Sequence, residues 1–322
     1  AVGLVPNYKR KDRILALLGP VSMLVLLAVW LTLLLLGFGL MLWPLGDGNL
    51  GDGLRISGSS ILTLGIASST SAAPTVITFC AAATGLVAIA LLIGYLPTIY
   101  GAYNRRETLV TMLQSRAGEP AWGPEILARG SFIESLDTSP AFYSDWERWA
   151  ADIAESHVNY PWLLFFRSPH PLRSWIIGLL AAMDSAALYL ALSPSRAPSE
   201  ARLCLRMGFT ALRGIATVLS IPYDRDPQPD APIDLTYEEF LEGVDRIDAA
   251  GFPIERSPQE AWIHFRGWRV NYEQIAYQIA DLVVAVPALW SGPRTRLREK
   301  PIPPIRPPQR TPERPEGITR VK

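Results

Sequence analysis

The chain has 322 residues, and its 30 Lys and Arg balance its 30 Asp and Glu. That zero net charge is an average over two unlike parts, because Leu, Ala and Val crowd the N-terminal third while charge and proline gather later. Two cysteines, with no CxxC and no Cys/His spacing, exclude a disulfide framework and a zinc site.

The first element is an uncharged run of about 30 residues from Ile14 to Trp43, where a helix needs only about 20 to cross the hydrocarbon layer. It is too long for the roughly 7 to 15 apolar residues of a cleavable signal, and no small-x-small site follows it. It therefore reads as an anchor. The chain opens on Ala1, which is compatible with processing or with missing upstream residues. A second uncharged run ends in Tyr95, Tyr100 and Tyr103, rings suited to the headgroup level. Spans are expected at about 14–43 and 73–103. Lys9, Arg10, Lys11 and Arg13 precede the first, and Arg105, Arg106 and Arg116 follow the second, while the connection carries only Arg55 beside Asp47 and Asp52. Both chain ends are accordingly expected in the cytoplasm.

The connection between the spans contains NLGDGLRISGSSIL, which suits a short helix, followed by TLGIA, which suits extended backbone. A pore loop over about 49–68 has that order, and irregular backbone at membrane depth is tolerated only where protein buries it or water lines it. An ordinary polar connection remains the alternative. In the second span Ala81 and Gly85 stand at small-xxx-small spacing, and Gly85, Gly94 and Pro97 serve either close helix packing or gating as hinges.

Residues 56–66, ISGSSILTLGI, resemble the pore-helix end and filter of two-span potassium-channel-like proteins of bacteria, where a T-x-G-x-G core is usually followed by Asp. The stretches LIGYLP (92–97), Arg105-Arg106-Glu107, Arg116-Ala117-Gly118 and Trp146-Glu147-Arg148-Trp149 resemble the inner-helix end and cytoplasmic helical domain of the same ion-channel group. The resemblance implies an all-α membrane protein with two transmembrane helices, a re-entrant pore loop and a cytoplasmic helical bundle. It implies a filter of Thr63, Leu64, Gly65, Ile66 and Ala67, a homotetramer in the plasma (inner) membrane, and a permeating monovalent cation, potassium being the family's ion. Ala67 stands at the second glycine position and Ser68 where Asp is usual. A left-handed backbone at Ala67 would cost about 1–2 kcal/mol. A non-conducting, membrane-anchored sensor or interaction protein that keeps the channel fold is therefore the alternative.

The division that follows is a transmembrane domain over 1–106, a cytoplasmic helical domain over 107–290 and a basic, Pro-rich tail without fixed structure over 291–322. Capping boxes are expected at Ser144, Thr236 and Ser257, the last followed by Pro258 at the first helical position. The run 175–192 carries one acid and reads as a buried core helix or, alternatively, a barely sufficient third span. Asp184 within it is expected to pair with an arginine. Arg202, Arg206 and Arg213 form a stripe, read as a solvated face or as a holder of anions, and Trp262, Phe265, Trp268 and Tyr272 read as core. His157 is expected to complement a helix C-terminus. No GxSxG elbow, HExxH, phosphate loop or dinucleotide fingerprint is present, so neither enzyme chemistry nor a cofactor is expected, and nothing calls for nucleic acid.

Overall fold

The computed structural model describes residues 5–45, 49–68, 71–133, 135–295 and 300–305, and among them every regular element is helical. The chain divides into two compact units, Leu17–Ala102 and Ala1–Ala16 with Tyr103–Lys322.

Helix α1 (Val5–Leu42), which belongs to the first unit from Leu17 on, is a single 38-residue helix whose Leu-rich run is apolar all round. After a short 3-10 turn, α2 (Leu50–Ile61) starts at Asn49, whose Oδ1 accepts the Gly51 N–H at 2.9 Å, and Asp52 favours the positive end of its dipole. The α3 helix (Ala72–Ala117) is 46 residues long and carries Pro97 inside it without interruption. Three helical stretches are long and apolar enough to cross a membrane: Val21–Leu45, Ala72–Ala117 and Trp175–Leu192. The first two expose most of their apolar side chains within their own unit, Leu24, Trp30 and Leu33 on one and Phe79, Leu86 and Leu91 on the other.

The second unit is built around the third. Helix α4 (Gly123–Phe132) carries Pro124 in its first turn, and α5 (Ser139–Asn159) carries Pro140 in its first turn and has Thr138 as N-cap, six residues before the cap expected at Ser144. Ser144 lies inside α5, because Pro140, favoured in the first turn where its missing N–H costs nothing, goes with a start at residue 139. Helix α6 (Trp175–Leu192) is apolar on all sides and buried except at Leu190, so it forms the centre of the bundle. Helices α4, α5, α7 (Ser199–Val218), α9 (Pro258–Arg269) and α10 (Glu273–Leu282) pack on it, while α8 (Tyr237–Asp248) packs on α4 and α9. The boxes at Thr236 and Ser257 are both formed, each side chain accepting from the N–H of a Glu three residues on. Phe265 and Tyr272 are fully buried, and Trp262 and Trp268 pack on the same core.

The tail differs from expectation over its described part. Ile302 is buried and its N–H donates to the Pro287 carbonyl at 2.7 Å, and Ile305 exchanges backbone hydrogen bonds with Glu119. Arg294 is also buried, its guanidinium donating to the carbonyls of Ala285, Val286 and Ser291. A basic, proline-rich composition concealed this packing, since prolines suit an extended strap and Arg294 satisfies backbone that an apolar residue could not. Residues 296–299 and 306–322 lie outside the described residues, as do Ser69 and Thr70 beside the expected pore loop.

Candidate functional site

The geometry after α2 is set by its last turn. Ser57 Oγ donates to the Leu35 carbonyl at 3.0 Å, holding α2 against α1, and Ile61 is buried. The helix then ends: Leu62 and Thr63 N–H groups donate back to Gly58 and Ser60 carbonyls, and the Leu64 N–H to the Ser59 carbonyl at 2.8 Å. Thr63 and Gly65 both have left-handed backbone, with φ of 52° and 68°. Ala67 does not, so the penalty expected there falls instead on the β-branched Thr63. Ser59 Oγ accepts the Ala67 N–H at 3.0 Å, which curls the segment back over the end of α2. Leu64 and Ile66 are exposed within the chain. Among the described residues no hydrogen bond ends on the carbonyl oxygens of Thr63 to Ala67.

Of the three hinge candidates in α3, Gly85, Gly94 and Pro97, it is Gly85 that meets the segment. A Cβ there would lie 2.1 Å from the Ile61 carbonyl oxygen, so the absence of a side chain is what lets α3 cross the C-terminus of α2. Gly94 has nothing within 4 Å of such a Cβ, and its carbonyl accepts from Thr98 Oγ1 at 3.1 Å. Pro97 supplies no N–H to the carbonyl one turn before it.

A second cluster, not read from the sequence, gathers on residues 163–168 in the other unit. Arg106 is fully buried and donates to the carbonyls of Leu163 at 2.7 Å and Phe166 at 2.5 Å, while pairing with Glu107 at 2.8 Å. Glu107 accepts from Ser168 Oγ at 2.5 Å, and Tyr103 Oη donates to the Arg167 carbonyl at 3.1 Å. Arg167 in turn pairs with Asp12 and donates to the Val283 and Val284 carbonyls. One short segment therefore receives polar contacts from the N-terminal part of α1 and the C-terminal part of α3. Arg105, adjacent in sequence, is exposed and pairs with Asp152, so nothing in the run Arg105-Arg106-Glu107 marks which arginine is buried.

His157 is buried beside Arg106, with Nε2 at 3.2 Å from Nη1 and Nδ1 at 3.0 Å from Ser156 Oγ. Burial and the Arg106 charge hold its pKa well below the ordinary imidazole value. It is therefore neutral, and the expected role as a charged partner of the α5 C-terminus gives way to that of an acceptor for Arg106.

At the bundle centre Asp184 pairs with Arg269, as expected of a buried acid, and also accepts from Tyr272 Oη at 2.8 Å. Burial pushes its carboxyl up to about 6, against the pull of Arg269 and Tyr272. On the arginine stripe, Arg202 lies over the Trp268 ring and Arg213 over Phe209 while reaching Asn271 at 3.3 Å, so two of its three members are engaged by the bundle itself. Among the described residues no group of three His, Cys, Asp or Glu side chains is placed to hold a metal ion. Comparison of the chain with family models, with curated proteins and with solved structures finds no match.

Proposed function

We propose that the chain is a pore-loop membrane protein similar to the two-span potassium-channel-like proteins, with α1 and α3 as its spans and Thr63, Leu64, Gly65, Ile66 and Ala67 as a divergent filter. The observation that carries this reading is the row of carbonyls from Thr63 to Ala67 that no described donor satisfies, next to two long helices with exposed apolar faces. At membrane depth such carbonyls need water, an ion or protein. A single five-residue segment cannot surround an ion, so the reading requires a symmetric oligomer, a tetramer by the resemblance, in the plasma (inner) membrane with both ends cytoplasmic. The permeant is a monovalent cation, potassium by the same resemblance.

A second reading is favoured by Ala67 and Ser68, which replace the glycine and acid of the family pattern. In it the protein keeps the pore-loop fold as a non-conducting, membrane-anchored sensor or interaction protein. Ion flux into vesicles containing the full chain separates the two. Conduction gives a potassium flux that Gly65→Val abolishes and that Ala67→Gly with Ser68→Asp makes larger or more selective over sodium. Background flux from all of them leaves the non-conducting reading. Free labelling of cysteines at positions 63–67 by membrane-impermeant reagents from outside, together with background flux, removes the pore loop altogether.

A further inference from the structure

The segment held by Arg106 and Arg167 carries an apolar face of its own. Residues Pro161–Phe165 form one 3-10 helix, and at three residues per turn Trp162 and Phe165 lie one above the other. The intervening Leu163 and Leu164 are buried in the bundle, whereas Trp162 is 60% exposed and Phe165 41% exposed. Val158, in the last turn of α5, is 37% exposed. An indole and a phenyl ring on one open face, with their leucine neighbours turned inward, form a surface built to be covered.

What would cover it is set by the residues that grip the segment. Arg106, whose guanidinium holds the Leu163 and Phe166 carbonyls, lies one turn beyond the end of the second uncharged run at Tyr103. Tyr103 itself holds the Arg167 carbonyl. Asp12, which pairs with Arg167, lies two residues before the start of the first uncharged run at Ile14. Each grip therefore comes from the last residue of an apolar run or from the first charged turn beyond it, where Trp and Tyr side chains settle among lipid headgroups. We propose that Trp162 and Phe165 are an interfacial lipid anchor: the 3-10 helix lies in the headgroup layer of the cytoplasmic leaflet with its aromatic face against the acyl boundary. The inference rests on the membrane reading given above, because its depth is measured from the run ends Ile14 and Tyr103, which belong to the same unit as the segment.

The test uses the full chain in vesicles with an environment-sensitive fluorophore on single cysteines. Burial pushes the Cys204 thiol up and keeps it protonated and unreactive, so Cys80→Ser alone gives a usable background. Labels at Trp162→Cys and Phe165→Cys should emit at short wavelength and lose intensity to lipids carrying doxyl groups near the headgroup, more than to lipids carrying them at the chain end. A label at Ile263→Cys, exposed on the bundle surface, should emit as in water and be unaffected. Phe79→Cys, exposed on α3, reports whether the helix is in lipid at all. If position 79 is quenched while 162 and 165 are not, the anchor is overturned and the membrane reading stands. Short-wavelength emission at 162 and 165 without lipid quenching also overturns it and identifies a protein partner as the cover. Failure of quenching at all of these positions overturns both.

Discussion

Arg269 on α9 reaches Asp184 on α6 with Nη1 to Oδ1 at 2.5 Å and, with Nε, reaches Glu273 at 2.7 Å, so one buried guanidinium serves two buried carboxylates. The Trp290 carbonyl and Tyr277 Oη complete its contacts. Removing it leaves two acids in the core without a cation. Arg269→Met is therefore expected to cost about 3–5 kcal/mol of stability, seen as a lowered thermal midpoint of the full chain in detergent.

The same arrangement fixes a pH dependence. Asp184 has a folded-state pKa of about 6 against an ordinary value of 3.8, so its contribution is fully present below the unfolded value and is lost as pH rises towards 6. His157 acts in the opposite sense: its lowered pKa supplies stability above the ordinary imidazole value, which is lost as pH falls below it. Asp184→Asn should remove the first effect alone. The stability difference between wild type and this variant should fall by about 2 kcal/mol between pH 4 and 7, measured by denaturant titration. A difference independent of pH would contradict it.

Arg106 holds two backbone carbonyls as well as Glu107. Arg106→Ala should cost about 3–5 kcal/mol, because Glu107 is left buried without its cation. Lysine should restore little of that, since one ammonium cannot reproduce the planar fork that reaches Leu163, Phe166 and Glu107 together. Limited proteolysis within residues 160–170 would record the release of the segment in both variants.

Gly85 and Gly94 separate packing from hinging. Gly85→Ala forces a methyl group into the Ile61 carbonyl and should cost about 1–3 kcal/mol by overpacking. Gly94→Ala meets nothing and should be neutral or stabilise by up to about 1 kcal/mol. Thermal unfolding followed by circular dichroism in detergent gives both numbers. A change in flux from Gly94→Ala without a loss of stability would assign that position to gating.

Topology offers an independent check. Reporter fusions after residues 50, 104 and 196 should place the first outside and the other two in the cytoplasm. An external reporter at 196 would overturn the cytoplasmic placement of the bundle.

The parts legible in the sequence were those whose cause is local. The boxes at Thr236 and Ser257 need only a hydroxyl, a Glu three residues on and an apolar run. The central position of α6 follows from apolarity on every side, and the partner of Asp184 from the cost of leaving a buried acid alone. Ser144 satisfied the same local pattern and failed because Pro140 started the helix earlier. The strap at 300–305 and the grip on residues 163–168 depend on carbonyls supplied by distant parts of the chain, and composition carries no trace of which carbonyls those are. In the candidate filter the helix that precedes it was readable from residues 49–62, whereas the extended backbone expected over Thr63 to Ala67 gives way to left-handed residues at Thr63 and Gly65. The left-handed turn at Thr63 was not readable, because it is imposed by hydrogen bonds back to Ser59 and Ser60.

The contacts of Arg167 also set an order in time. Its guanidinium joins Asp12, near the start of the chain, to the carbonyls of Val283 and Val284, near the end of the bundle. A ribosome adding roughly 5–20 residues per second needs on the order of tens of seconds to pass from one to the other. Throughout that interval the carbonyls that fix the far side of the Arg167 guanidinium have not been made. The final setting of the Asp12–Arg167 pair thus waits on the end of the bundle, however early its two partners are synthesised.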